Sequence, residues 1–77
     1  MEYTNSQMQA LIDEHIHNDR HAEILRLRLI RGHTYAAIGE EIDPPLEWKQ
    51  VYRICSRESA KLFRKLRELE ESGTQPQ

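Results

Sequence analysis

Apolar residues recur at three- and four-residue intervals along most of the chain, which is the period of amphipathic helices. Met8, Leu11, Ile12 and Ile16 make the first such line. Thr4 or Ser6 is placed to cap it, because Thr4 with Gln7 and Ser6 with Gln9 both have capping-box spacing. Asn18-Asp19 breaks the pattern with two residue types that favour N-cap positions. A second helix is predicted beyond them, with Ala22, Leu25 and Leu29 on one line and Ile24 and Leu27 beside it. Arg20, Arg26, Arg28 and Arg31 supply its wet side, and Gly32 stands where a left-handed C′ residue ends a helix.

Thr34 is placed to cap a short third helix, Tyr35 to Ile42, whose apolar line is Tyr35, Ile38 and Ile42. Gly39 inside it costs about 1 kcal/mol relative to alanine. A glycine there predicts close approach by another helix, with simple tolerance as the plainer alternative. Asp43-Pro44-Pro45 stops the helix, since proline lacks a backbone donor and restricts the residue before it. A fourth, longer helix is predicted from Leu46 or Glu47 to about Glu71, with the stripe Val51, Ile54, Cys55, Leu62, Phe63, Leu66 and Leu69. Glu58 and Ser59 interrupt the middle of that stripe.

The expected fold is therefore all-α: a small four-helix domain containing a helix-turn-helix with a long C-terminal recognition helix. Residues 1–17 form an N-terminal accessory helix, 18–71 the helix-turn-helix domain, and 72–77 a polar tail expected to be disordered. Leu25, Leu29, Ile38, Val51 and Leu62 are expected to be buried together. Met8, Leu11, Ile12 and Ile16 either cap that core or form a dimer seam.

Composition narrows the picture. At 77 residues there is room for one core, and a chain this short buries only about 60% of its unfolded surface. No apolar run approaches the roughly 20 residues that span a bilayer, and the opening Met-Glu-Tyr-Thr has no signal-peptide pattern. A cytoplasmic, non-membrane protein is expected. Cys55 is the sole cysteine, which excludes an intrachain disulfide and a cysteine zinc cage.

Charge changes the picture more. Residues 1–45 carry four arginines against eight acids, net −4, whereas residues 46–77 carry seven cations against five acids, net +2. All seven of those cations lie between Lys49 and Arg67, with Glu58 the one acid among them. Such a segment suits a polyanion, although a solvated helix face explains the same charges. The start of the long helix presents Trp48, Lys49, Gln50, Tyr52, Arg53 and Arg57. Val51 and Ile54 should face inward, leaving Lys49, Gln50, Arg53 and Arg57 outward. Glutamine and arginine each make paired hydrogen bonds to base edges in the major groove of double-stranded DNA. Lys61, Arg64 and Lys65 lie further along, placed to contact phosphates or simply to stay solvated.

The run Asp19-Arg20-His21-Ala22-Glu23-Ile24-Leu25-Arg26-Leu27-Arg28, continued by Arg31-Gly32-His33-Thr34-Tyr35-Ala36-Ala37-Ile38-Gly39-Glu40-Glu41-Ile42, resembles sigma-70 family region 4. Val51-Tyr52-Arg53-Ile54 resembles the start of that family's recognition helix, as in small phage-type sigma-like regulators. The likeness runs from Asp19 to about Leu69. The turn between Ile42 and Val51 is longer than the family's, Gly39 replaces a common alanine, and Glu58 stands where a small or apolar residue is usual. The resemblance implies a stand-alone, sequence-specific transcriptional regulator of bacterial, phage or mobile-element type, with DNA as partner. An RNA polymerase- or regulator-binding module and a phage DNA-packaging subunit, resembling small terminases, are the alternatives. A homodimer through the N-terminal or C-terminal helix would extend the sequence that one short helix reads.

Other chemistry is weakly signalled. His17 and His21 are four apart with His15 nearby, but Asn18-Asp19 breaks the helix between them, so surface histidines are favoured over a metal site. Cys55 is read as a small core hydrophobe rather than a thiol sensor. No phosphate loop, nucleophile elbow or zinc-protease signature occurs, and neither Glu40-Glu41 nor Glu70-Glu71 forms a dyad. No cofactor, metal or catalytic activity is expected.

Overall fold

The computed structural model describes the backbone of residues 4–74 and the side chains of residues 4–68. Four α-helices follow one another: α1 (Asn5–His15), α2 (Asp19–Leu25), α3 (Tyr35–Glu41) and α4 (Trp48–Thr74), and the described residues contain no strand. The fold is a small all-α domain, as the pattern predicts.

Local hydrogen bonds set the helix starts. The Thr4 hydroxyl accepts from the Gln7 N–H at 3.1 Å, and the Gln7 side chain accepts from the Thr4 N–H at 2.9 Å, closing a full capping box. Asn18 caps α2 by accepting from the His21 N–H at 3.1 Å. Thr34 does the same for Ala37 at 3.1 Å. Gly32 sits at φ 71°, the left-handed conformation expected past a helix end. α3 stops one residue early, with Ile42 as its C-cap.

Between α2 and Gly32 lies a π-helical segment, Arg26–Ile30, closed by the Arg31 N–H donating to the Arg26 carbonyl at 3.2 Å. The apolar positions explain it. On a continuous α-helix Ile30 would lie between faces; the wider turn swings it beside Leu25 and Leu29, towards α1.

The core is divided, which corrects the expectation of one buried set. Ile24, Leu27, Ile38, Ile42, Val51 and Cys55 pack together, joining α2 to α3 and the start of α4. Ile12, Ile16, Ala22, Leu25 and Leu62 form a second cluster, joining α1 to the other side of α2 and the middle of α4. Leu25 and Leu62 therefore share one cluster while Ile38 and Val51 share the other, and Leu29 is only half-buried at the edge of the second. The two lines of α2 serve two cores. Ile12 and Ile16 are spent on the second, so the α1 line caps the domain.

α4 departs from the expected stripe in three places. Its buried face runs Val51, Cys55, Glu58, Leu62, Leu66, and Phe63 falls one position off it, 48% exposed. Ile54 is half-buried. Glu58 is inside rather than interrupting: it is 6% exposed, with His21 Nδ1 and Lys61 Nζ each 3.7 Å from its carboxylate. The helix also continues through Ser72, Gly73 and Thr74, residues expected in the tail. The rest of the expected tail, residues 75–77, lies outside the described residues, as does the Leu69 side chain.

Candidate nucleic-acid interface

The turn between α3 and α4 sets how the long helix leaves the domain. The Leu46 N–H donates to the Gly39 carbonyl at 3.0 Å, laying the turn backbone directly on α3. A Cβ on Gly39 would collide with the Leu46 carbonyl oxygen and touch Val51 Cγ2 at 3.5 Å. Gly39 thus marks a close approach, but by the turn rather than by another helix. Arg20 of α2 donates to the Pro44 carbonyl, tying the turn from the other side.

The first turns of α4 grow from this anchor. Val51 is fully buried and Cys55 nearly so, while Trp48, Lys49, Gln50, Tyr52, Arg53 and Arg57 are all exposed. At about 100° per residue, Lys49 and Arg53 point most directly away from Val51, with Tyr52 on one flank and Gln50 and Arg57 on the other. Lys61 and Arg64 extend the Gln50–Arg57 side along the helix. Among the described residues no acid lies within ion-pair distance of Arg53 or Arg57. Lys61 and Lys65 do have acidic neighbours, Glu58 at 3.7 Å and Glu68 at 3.8 Å. Arg64 is exposed.

Two features were not read from the sequence. Gln50 is partly engaged: its side-chain oxygen accepts from the Glu47 N–H at 3.3 Å, closing the first turn of α4. Its amide group keeps its donors for a partner. Gln50, Arg53, Arg57, Leu46 and Ile54 together line a shallow cleft of about 220 Å³. The second feature is a chain of rings and cations. The Arg28 guanidinium sits 4.2 Å from the Tyr35 ring centroid, and Tyr35 meets Tyr52 edge-on at 5.3 Å and 83°. Arg28 also donates to the His33 carbonyl at 3.0 Å, which holds the stack in place. Lys49 Nζ lies 5.9 Å from the Trp48 ring centroid. The sequence signalled these rings only as Tyr35 at the first position of α3 and Trp48 and Tyr52 at the start of α4, not their contacts.

Away from this face, His17 is exposed and His21 faces Glu58. Cys55 is buried in the first cluster, and burial pushes its thiol pKa up against the smaller opposing effect of Arg28. No helix among the described residues is long and apolar enough to cross a membrane.

Geometry thus defines a small all-α domain with one exposed, cation-rich helix start set on a tightly packed turn. Comparison with protein-family models, curated proteins and solved structures finds nothing that matches this chain.

Proposed function

We propose that this protein is a sequence-specific double-stranded DNA-binding transcriptional regulator that reads the major groove with the start of α4. The observation that carries the reading is the pair Arg53 and Arg57. Both are exposed, one turn apart, without a described acidic partner, on a helix start anchored by buried Val51 and the Gly39–Leu46 contact. An arginine with its guanidinium unclaimed is the side chain best suited to the O6 and N7 acceptors of guanine. Gln50 beside them offers amide donors, and Lys49 and Arg64 suit phosphates on either side of the groove. Lys61 and Lys65 contribute less, because each must leave an acidic neighbour. The resemblance to sigma-70 region 4 between Asp19 and Leu69 supports the same assignment. A second copy would double the sequence read, since one helix start spans few base pairs.

One observation favours a second reading. Residues 1–45 are net −4, a surface better suited to a protein partner such as RNA polymerase than to DNA. Selection of bound fragments from a random duplex library, followed by a salt titration, separates the two. DNA reading is expected to enrich one short motif and to show affinity falling steeply with salt. Neutralising Arg64, Lys61 and Lys65 should flatten that salt dependence on every sequence alike. No enrichment and no salt dependence would leave the protein-partner reading in its place. A large ring in solution would favour DNA packaging instead.

A further inference from the structure

Three of the aromatic side chains on this chain are about half exposed, and all three lie on α4: Trp48 at 53%, Tyr52 at 48% and Phe63 at 48%. Trp48 and Tyr52 stand one turn apart at the start of the helix, on the flank opposite Gln50. Both rings leave about half their surface in water although Val51 and Cys55 already anchor the helix start. Exposed apolar surface of this kind marks a contact. Tyr52 is also held in place, because Tyr35 meets it edge-on and Arg28 in turn holds Tyr35. A ring fixed before binding loses little freedom on binding.

Resting on the DNA-binding reading above, we infer that Tyr52 and Trp48 are specificity residues that contact the 5-methyl group of thymine. The chemistry leaves few alternatives. With Arg53 turned to the groove floor, the rings face the base edges on one side of it. In stacked B-form DNA the apolar group offered along the major-groove edges is the thymine methyl. Phosphates are charged and strongly hydrated, so they meet Lys49 and Arg64 rather than a ring. One flank of the helix start therefore reads donors and acceptors through Gln50, Arg53 and Arg57, and the other reads methyl groups.

The test uses the full chain and the duplex recovered by selection, synthesised with uracil in place of thymine at one position at a time. Uracil pairs as thymine does and lacks only the methyl. Affinity is measured for wild type, Tyr52→Phe, Tyr52→Ala and Trp48→Ala. Wild type is expected to lose about fourfold in affinity at one or more positions, the worth of one buried carbon. Tyr52→Phe should keep that sensitivity, and Tyr52→Ala or Trp48→Ala should bind thymine and uracil duplexes equally at the position each ring contacts. Trp48→Ala and Tyr52→Phe should melt within a few degrees of wild type, and Tyr52→Ala lower, because it gives up the edge-on contact with Tyr35 while remaining folded. Two results would overturn the inference while leaving the DNA reading intact: no uracil sensitivity in wild type, or sensitivity that persists unchanged in both alanine variants. Failure to bind any duplex would instead overturn the DNA reading, and this inference with it.

Discussion

Gly39→Ala tests the turn that positions α4, and here helix propensity and packing have opposite signs. Glycine in a helix interior costs about 1 kcal/mol relative to alanine, so propensity alone makes the substitution stabilising. The new methyl, however, would run into the carbonyl oxygen of Leu46, a backbone atom that cannot rotate aside. Relief requires the turn to lift from α3. That movement weakens the 3.0 Å hydrogen bond from Leu46 N–H to Gly39, worth about 1 kcal/mol, and loosens Leu46 and Val51 against the first cluster. Overpacking of this kind costs about 1–3 kcal/mol. After subtraction of the propensity gain, the net loss is about 1–3 kcal/mol, or a fall in Tm of roughly 5–20 °C for a domain of this size. Circular dichroism melts of the two proteins measure it directly. An alanine variant that melts at or above the wild-type temperature would refute the argument, because it would mean the turn does not rest on α3 as described.

Three further outcomes follow from the interior and the α1 contact. Glu58→Leu should melt no lower than wild type, because the buried carboxylate sits among apolar neighbours while His21 and Lys61 reach water and tolerate its loss; thermal melts at neutral pH decide it. Cys55 should resist alkylation by iodoacetamide at pH 8 in the folded protein and react quickly in denaturant, since burial raises its thiol pKa and blocks access. The Asp13 carboxyl is held low chiefly by its hydrogen bond from Arg26, at 2.8 Å, with desolvation opposing and Gln9 adding a smaller contribution. A depressed folded pKa stabilises above the unfolded carboxylate pKa, and the effect is lost as pH falls through the folded value. The melting difference between wild type and Asp13→Asn should therefore be small at pH 7 and vanish in strong acid.

What could be read from the sequence was what short-range chemistry decides. The caps at Thr4, Asn18 and Thr34 each need one side chain and a backbone N–H a few residues on, so composition narrowed them to Thr4 or Ser6, Asn18 or Asp19, and Thr34. Gly32 belongs to the same class. The candidate face was legible for a related reason: once Val51 points inward, the outward positions of Lys49, Arg53 and Arg57 follow from helix period alone. Long-range choices were not legible. The sequence sets Leu25 and Ile24 on neighbouring lines but not in separate cores; they face different clusters because α2 is walled by α3 on one side and α1 on the other. The π segment arises from that same two-sided demand, which no single stripe expresses. Glu58 broke an apolar pattern on paper and is buried in fact, where His21 of α2 and Lys61 of α4 meet it. Gln50 was read as purely outward, whereas its cap to Glu47 depends on where the helix begins.

The division of labour on α4 has a consequence for how such a chain changes over generations. The inward positions are held by the core, Val51 and Cys55 in the first cluster and Leu62 in the second, and tolerate little exchange. Lys49, Arg53, Arg57 and Arg64 answer to neither, so they are open to replacement with little penalty to folding. On the proposed DNA-binding role, their drift is limited by the partner alone. Gln50 is the exception, tied to the helix start as well as to the surface, and among these positions it is the one where a change of partner and a change of stability arrive together. Related chains would be expected to diverge fastest along the outward line of α4 while Gly39 and Val51 stay put.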